Sequence, residues 1–304
     1  MANRENRMKI RPVARWNCRG LRLIPLLWAI GMVVPASAIG AAEEALVLGV
    51  FPRLNASETT TRYAPLAEHL GKRLGRAVTL VTSKDFQSFW QGVEEQRYDI
   101  VQYNQYHYIR SARIYQVIAH NREFGRSTVA GVLYVRKDSG ITSLAQLRGR
   151  TVLFGGGEDA MMSYIAPVYM MLQAGVKKDD FKSQFAVNPM NSVIGVFRRQ
   201  ADAAGSGDGA LEQPVLKSAI HPDDLTVLAV SEELLHLPWA VKRTMPAQLR
   251  EAIQSSLVEL EASEAGRKIL KSAVLTGIGK AEDKDYDPHR RMVRAVFGPE
   301  GVSK

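Results

Sequence analysis

Apolar runs of strand length alternate with amphipathic, helix-like segments from residue 46 onward. Leu46–Phe51 (LVLGVF) is a continuous apolar run closed by Pro52, which predicts a buried strand. Thr59–Leu74 places leucines at 66, 70 and 74 on one face, and Gly75 follows as a helix stop. The alternation continues to about residue 230, and the chain becomes mostly helical after Pro238. This order predicts βαβ units and parallel sheets.

The predicted strands form two blocks, one before about residue 120 and one from Thr128 to Val230. Two such blocks suit a bilobed protein with a cleft, because ligands of open α/β sheets bind beyond the carboxyl ends of the strands. Five of these ends are polar or rich in glycine, and their convergence predicts a binding site. They are Phe51–Asn55, Tyr103–Gln105, Gly155–Asp159, Asn188–Asn191 and Ser206–Asp208.

A glycine-rich turn at the third of these ends permits two interpretations. Gly155, Gly157 and Ala160 satisfy the G-x-G-x-x-G/A spacing of a dinucleotide-binding turn, and acids at 179 and 180 stand where a ribose-binding acid is expected. That interpretation describes an exported nucleotide-dependent oxidoreductase. The other is a strand, a tight turn and a helix that hold a different ligand. No plausible acid–base set surrounds the turn, which favours the second interpretation.

The first 38 residues predict a cleavable secretory signal. Seven basic residues and one acid precede the apolar run Leu23–Val34, and Pro35–Ala38 (PASA) follows it. A membrane anchor is the alternative, but the run is shorter than the ~20 apolar residues that a span needs. We expect cleavage near Ala38 and a periplasmic product. The basic leader is long, so translation from Met8 is a second option for the start.

Removing this leader changes the charge and the chemistry of the chain. Seven of the 40 Lys and Arg residues and one of the 31 Asp and Glu residues lie in residues 1–38, which leaves 33 basic and 30 acidic residues. The near balance argues against a nucleic-acid partner. Cys18 is the only cysteine, so the mature chain has no disulfide, thiolate metal site or cysteine nucleophile. His107 and His120 have no partner at metal-ligand spacing, and we predict neither a metal nor a cofactor.

Four stretches resemble the phosphate/phosphite/phosphonate-binding proteins of ABC uptake systems, members of the type II periplasmic binding fold. The most specific of them is VLYVRKDSGITSLAQLRGRTVLFGG, and the resemblance runs from about Leu46 to Leu270. The other three are RYAPLAEHLGKRLGRAVTLVTSKDFQSFWQGVEEQRYDIVQYNQYHYI, YMMLQAGV and HPDDLTVLAVSE.

The resemblance implies an α/β fold of two lobes, joined by two hinge crossings, with one ligand in a central cleft that closes on binding. The crossings are expected near Val135–Asp138 and Leu235–Trp239. Residues 1–38 are then the signal peptide, 45–135 the first part of lobe 1 and 136–236 lobe 2. Residues 237–304 return to lobe 1 and end in the C-terminal helices.

In that family, small hydroxyl residues and backbone N–H groups at a helix start hold the oxyanion. The matching positions here are Glu158–Ser163, and Ser163 is the only hydroxyl among them. A carboxylate at Asp159 favours the helix start electrostatically but would repel a phosphonate. The sequence therefore predicts the cleft and leaves the ligand open.

The candidate ligand-binding residues follow from the strand ends and the helix start. Arg53 is the best candidate for a fixed cation facing an oxyanion. Tyr103 and Asn104 either donate to a ligand oxygen or pack and cap the next helix. Asp208 caps a helix or faces the cleft. The full set is Arg53, Asn55, Tyr103, Asn104, Gly156, Gly157, Asp159, Met161, Ser163, Tyr164, Asn191 and Asp208.

The function predicted from the sequence is that of a non-catalytic periplasmic solute-binding protein. It would capture a small oxyanion, phosphate-, phosphite- or phosphonate-like, and present it to an inner-membrane ABC permease after lobe closure. The first alternative is a periplasmic sensor subunit that signals to a membrane histidine kinase. The second is the oxidoreductase considered above. No catalytic residue is predicted.

Overall fold

The computed structural model describes residues 44–302. The predicted signal peptide and its cleavage near Ala38 lie outside the described residues. The strands are β1 Leu46–Val50, β2 Val78–Val81, β3 Ile100–Gln102, β4 Tyr115–Arg122, β5 Thr128–Val129, β6 Gly131–Arg136, β7 Thr151–Gly155, β8 Lys182–Ala186, β9 Ala203–Gly207, β10 Leu225–Val230, β11 Leu234–Leu235, β12 Pro238–Lys242 and β13 Gly277–Lys280. The α-helices are α1 Ala56–Leu74, α2 Phe86–Glu94, α3 Gln105–Ser111, α4 Ala166–Gln173, α5 Pro189–Phe197, α6 Pro214–Ala219, α7 Ala247–Val258, α8 Glu264–Ser272 and α9 Asp287–Phe297.

The first sheet has six strands in the order β13, β4, β12, β3, β1, β2. Strand β1 lies parallel to β2 and to β3, with Leu48 opposite Leu80 on one side and Ile100 on the other. Strand β12 runs antiparallel between β3 and β4, and β13 runs antiparallel to β4. Parallel pairing is therefore confirmed for β1–β3. It is wrong for β4, which pairs antiparallel with β12 and β13, two strands in the part of the chain that was predicted to be mostly helical.

The second sheet has five strands in the order β10, β6, β9, β7, β8. Strand β7 is parallel to β8 and β9, whereas β6 is antiparallel to β9 and β10. Residues 131–135 of β6 are all buried in the middle of this sheet. The position predicted for the first crossing, Val135–Asp138, is therefore wrong: the chain has already passed between the sheets at residues 123–130. It returns at residues 231–237, close to the predicted Leu235–Trp239.

The two passages are held side by side by a short antiparallel pair. Strand β5 lies in the first passage and β11 in the second, with Val129 opposite Leu234. The segment after the second passage divides between the two sheets. Helices α7 and α8 pack in the core of the first sheet, whereas Met292 and Val293 of α9 pack with Leu133 of the second. The lobe boundaries at 45–135, 136–236 and 237–304 stay a prediction.

Asparagines at the strand ends cap the helices that follow them. The side chain of Asn55 accepts a hydrogen bond from the N–H of Glu58 at the start of α1 (2.8 Å), and that of Asn188 accepts from the N–H of Asn191 in α5 (2.9 Å). Asn104 does the same for α3. Each cap satisfies an N–H group that the helix cannot satisfy itself. The capped helices begin at the ends of the sheets that face the cleft.

Within residues 44–302 none of the helices combines the length and the apolar character that crossing a membrane requires.

Candidate functional site

A cleft opens where the carboxyl ends of β1 and β3 face the ends of β7 and β9. Its inner part is a cavity of about 120 Å³, and its outer part is a wider mouth of about 920 Å³. Both parts share Phe51, Arg53, Phe86, Glu123, Met190 and Gln213 in their walls. The convergence of strand ends predicted from the sequence thus corresponds to a cleft in the structure.

The start of the helix after β7 forms one wall of the inner cavity. A π-helical turn, Met161–Ile165, precedes α4, and the N–H groups of Tyr164 and Ile165 both bond to the carbonyl of Ala160. The N–H groups of residues 161–163 precede the first bond of the helix and have no acceptor within it. Ala160, Met161, Met162 and Ser163 line the cavity. The positive end of a helix therefore meets the cleft, where it favours an anion.

The one hydroxyl predicted for this helix start is already engaged. Ser163 is 2% exposed, and its Oγ donates to the carbonyl oxygen of Gly155. A second hydroxyl, that of Ser206, belongs to a strand end predicted at the site but not to the candidate residues, and it is buried in the wall of the same cavity on β9. Its contact to the carbonyl of Pro189 is long, at 3.5 Å. Ser206 is therefore better placed than Ser163 to donate to a ligand.

Two of the three glycines of the turn are required, one by close packing and one by backbone conformation. A Cβ on Gly155 would lie 2.1 Å from the Cα of Pro189, and Gly156 has a φ of +95°. Gly156 and Gly157 line the outer cavity. Asp180, where a ribose-binding acid was expected, instead accepts a hydrogen bond from the N–H of Lys177. The turn thus serves to bring helix starts together at the cleft.

Arg53 lies in the inner cavity as predicted, but it is not a free cation. Its guanidinium donates to both oxygens of Glu123, at 2.5 and 3.3 Å, and Glu123 also accepts from Asn121 at 3.2 Å. Burial alone would raise the pKa of Glu123, but Arg53 and the adjacent His236 outweigh it and lower that pKa to about 2. Burial lowers the pKa of His236 to about 4, so its imidazole is neutral at pH 7.

A second ion pair lies across the same cavity. Arg126 donates to Oδ2 of Asp208 at 2.5 Å and lies 3.8 Å from a carboxylate oxygen of Glu212. The other carboxylate oxygen of Asp208 is buried and has no hydrogen-bond partner among the described residues. The turn before Arg126 contains Phe124, which also lines the cavity and has a φ of +51°. Strained backbone of this kind concentrates at functional sites.

Sequence reasoning missed Glu123 and Arg126, although it found their partners. Both lie in the first passage between the sheets, in the stretch NREFGR, which ends no predicted helix and matches no motif. A short segment with two opposite charges between two α/β blocks was the only available signal. Their roles depend on the fold, because each pairs with a residue at least 70 positions away.

Asp159 connects the turn of the second sheet with α3 of the first. Its carboxylate accepts a hydrogen bond from Nε2 of His107 at 2.8 Å, and its carbonyl accepts from the side chain of Asn104 at 3.0 Å. Burial would raise the pKa of Asp159, but the bond from His107 outweighs it, so the pKa is lowered. Trp90 stacks on the His107 ring with centroids 5.0 Å apart. Asp159 lines the outer cavity and Asn104 the inner one.

The remaining predicted residues divide between the cleft and the core. Asn55 and Asn191 line the outer cavity, and Met161 lines the inner one. Tyr103 is fully buried with its hydroxyl 2.9 Å from Oγ of Ser111, and burial raises its pKa well above the ordinary value. Tyr164 packs edge-on against Phe154, 3% exposed. Neither tyrosine is part of the walls of the two cavities, and their ligand-binding roles stay predictions.

The described residues 44–302 contain no group of three or more His, Cys, Asp or Glu side chains arranged to hold a metal ion.

Comparison with known proteins gives one family match and many structural matches. Residues 48–286 match the model of the family described as "ABC transporter, phosphonate, periplasmic substrate-binding protein". A binding protein component of an ABC phosphonate transporter from Pseudomonas aeruginosa is 16% identical, with a TM-score of 0.70 over 82% of this chain and 85% of that one. PhnD1 from Prochlorococcus marinus, in complex with methylphosphonate, is 19% identical, with a TM-score of 0.72 over 84% and 98%.

A third solved structure, a protein from Xanthomonas citri bound to ATP, is 17% identical, with a TM-score of 0.68 over 83% of this chain and 96% of that one. At these identities the structural likenesses establish the fold. They confirm the predicted two-lobed α/β fold of type II periplasmic binding proteins, and the family match confirms the resemblance inferred from the sequence.

Proposed function

The chain belongs to the family of periplasmic substrate-binding proteins of phosphonate ABC transporters, and from this membership we propose that it captures a small oxyanion, phosphate-, phosphite- or phosphonate-like, for uptake by an inner-membrane permease. The observation that carries the proposal is the helix start at residues 161–163. Its N–H groups lack acceptors within the helix, and the residues that carry them line the inner cavity.

Binding in this site would use backbone donors more than charged side chains. The partial positive charge of a helix start is about half an elementary charge, concentrated in the first turn. Ser206 and Asn104 add side-chain donors to the same cavity. A ligand that contacts Met162 on one wall and Arg53 on the other joins the two sheets, so the closed arrangement gains contacts that the open one lacks.

Transport is the role we propose for this capture. The family is one of substrate-binding proteins of ABC transporters, whose partners are a small ligand and a membrane permease. The family match favours a permease over the histidine kinase of the sensor alternative as the membrane partner. We do not propose an oxidoreductase, because the acids at 179 and 180 are absent from the walls of both cavities.

A thermal-shift screen tests the proposal directly. The ligands are phosphate, phosphite, methylphosphonate, sulfate and ATP, with choline as a cation. A ligand present at 100 times its Kd stabilises the protein by about 2.7 kcal/mol. We expect at least one phosphorus oxyanion to raise the Tm, and a response to choline alone would contradict the proposal.

A matched pair of variants tests the role of the helix start. Ala160 precedes the turn with φ −79° and ψ 105°, a conformation that suits the residue before a proline. Met161→Pro therefore removes one N–H group at a position where proline is tolerated, and Met161→Ala removes the same side chain but keeps the N–H. We expect weaker oxyanion binding in Met161→Pro than in Met161→Ala. Equal oxyanion affinities in the two variants would show that this N–H group does not bind the ligand.

A further inference from the structure

The walls of the inner cavity carry no uncompensated positive charge. Its two arginines, Arg53 and Arg126, are each paired with a carboxylate, Glu123 and Asp208 respectively, at 2.5 Å. The ring of His236, in the same wall, is neutral at pH 7. The ionised side chains of this wall therefore sum to zero, and its positive polarity comes from helix starts, among them the one at residues 161–163.

A second negative charge on a ligand would face a carboxylate. Oδ1 of Asp208 is buried without a hydrogen-bond partner among the described residues. Asp208 and Met162 both line the inner cavity. The carboxylate thus lies in the wall of the same cavity as the helix start that attracts an anion. Desolvating a dianion is also far more costly than desolvating a monoanion, and no free cation offsets that cost.

The rest of the wall is largely apolar. Phe51 and Phe86 pack with ring centroids 4.3 Å apart, and three methionines complete this part of the wall together with Phe124. Those methionines are Met161, Met162 and Met190. Thioethers and aromatic rings adapt to apolar groups of irregular shape and offer little to a fully hydrated ion such as phosphate.

From this charge balance and this wall, we infer that the site selects singly charged oxyanions with an apolar substituent over doubly charged ones and over bare inorganic oxyanions. The inference rests on the proposed function, since it assumes that the oxyanion binds at this helix start. The charged head would lie at residues 161–163, and the substituent would lie between Met190 and Phe86. Such a ligand is an organic sulfonate or a phosphonate monoester.

Isothermal titration calorimetry with ligands of matched shape tests the inference. At about pH 8.5 phenylphosphonate is doubly charged, since the second ionisation of such groups falls near pH 6–7, whereas its monomethyl ester keeps one charge. Benzenesulfonate has one charge, and the monomethyl ester of methylphosphonate has one charge without the ring. We expect the phenyl monoester and benzenesulfonate to bind at least about tenfold more tightly than phenylphosphonate, because a like charge opposite Asp208 is unfavourable.

The phenyl ring of the ligand should contribute as much to the binding affinity as the difference in charge. Burying a phenyl group against the methionines should improve the affinity at least about tenfold over the methyl ester. Met190→Ala should lower the affinity for benzenesulfonate about fivefold, whereas Met170→Ala, on α4 outside both cavities, should leave it unchanged. Asp208→Asn should reduce the difference in affinity between phenylphosphonate and its monomethyl ester. The exposed Asp223→Asn serves as the control.

The results of these titrations distinguish a failure of the selectivity inference from a failure of the proposed function. Tighter binding of phenylphosphonate or inorganic phosphate than of the monoesters would overturn the inference and leave the proposed function intact. If none of the anions bound, while the protein stayed folded by circular dichroism, the proposed oxyanion function itself would fail. An unchanged difference in affinity in Asp208→Asn would show that Asp208 does not set the selectivity.

Discussion

Replacing Glu123 by glutamine should destabilise the protein strongly at neutral pH and much less in acid. Glu123 is 5% exposed, accepts from Arg53 and Asn121, and lies 3.7 Å from Nε2 of His236. Glutamine has the shape of the protonated acid, so the variant resembles the wild-type protein with Glu123 neutralised. The comparison therefore isolates what the charge of Glu123 contributes to the free energy of unfolding.

The magnitude follows from the pKa of this group. In the folded protein it is about 2, against an ordinary value of 4.5. A depressed pKa of an acid stabilises the folded state above the ordinary pKa, and that stability is lost as the pH falls toward the folded value. The difference corresponds to roughly 3 kcal/mol at pH 7, and to less than half of that near pH 3. At neutral pH the Tm should fall by roughly 6–12 °C.

Urea unfolding followed by tryptophan fluorescence measures this difference. The Trp239 indole donates to Asn121, which itself donates to Glu123, so the signal reports on the site. Burial lowers the pKa of His236 and the charge of Glu123 raises it, so replacing Glu123 also changes the protonation of this ring in acid. The quantity to compare is therefore the difference between the two proteins at each pH. Glu251→Gln, at an exposed position on α7, is the control.

Two results would refute this reasoning. A loss below about 1 kcal/mol at pH 7 would mean that the Arg53–Glu123 pair behaves as an exposed surface pair does. A loss of the same size at pH 7 and pH 3 would mean that the side chain matters by its packing and not by its charge.

Three further substitutions test the turn, the buried tyrosine and the connection between the sheets. Gly155→Ala should lower the Tm markedly, because the added Cβ would lie 2.1 Å from the backbone of Pro189. Tyr103→Phe should cost about 1 kcal/mol of stability through the lost bond to Ser111, and calorimetry should show an unchanged ligand Kd. Asp159→Asn should lower the stability by about 1–2 kcal/mol in urea unfolding, because it removes the charge from a partly buried hydrogen bond.

Each of these has a control and a contradicting result. Gly207→Ala, whose added Cβ would meet its nearest neighbour at 3.6 Å, should retain its Tm, and equal effects at both glycines would contradict the packing argument. A higher Kd for the ligand in Tyr103→Phe would show that Tyr103 contributes to ligand binding. An Asp159→Asn variant as stable as the exposed control Asp287→Asn would show that the bond to His107 contributes nothing.

Local pattern was sufficient to predict the elements and the order of most of the fold. Continuous apolar runs and glycine stops located β1, α1 and β7 because burial and chain reversal leave signals within a few residues. Pairing direction left no such signal. Strand β12 lies where the chain was predicted to become mostly helical, and its antiparallel position between β3 and β4 follows from where the chain re-enters the sheet. For the same reason the first passage was predicted too late, since β6 lies in the middle of the second sheet.

The candidate site shows the same division between local and long-range information. Asn104 was predicted as a helix cap or a ligand contact, and Asn55 as a ligand contact. Both are helix caps in the structure, because the partner N–H lies three residues away. Arg53 was predicted as a fixed cation facing an oxyanion because a sequence shows a charge and not its partner. Glu123 lies 70 residues further along the chain, and only the fold brings the two together.

Asp159 is an acid at a helix start where the family has small hydroxyl residues, and the structure gives a physical reason for this difference. Near a helix start a carboxylate is an ordinary stabilising feature, and near an oxyanion it is unfavourable, so the sequence alone leaves its role ambiguous. In the structure the carboxylate accepts a hydrogen bond from His107 of α3, and its backbone carbonyl accepts one from Asn104, the cap of α3. The negative charge thus has a partner from the first sheet. The helix start keeps its positive polarity for a ligand, while the acid beside it connects the two sheets.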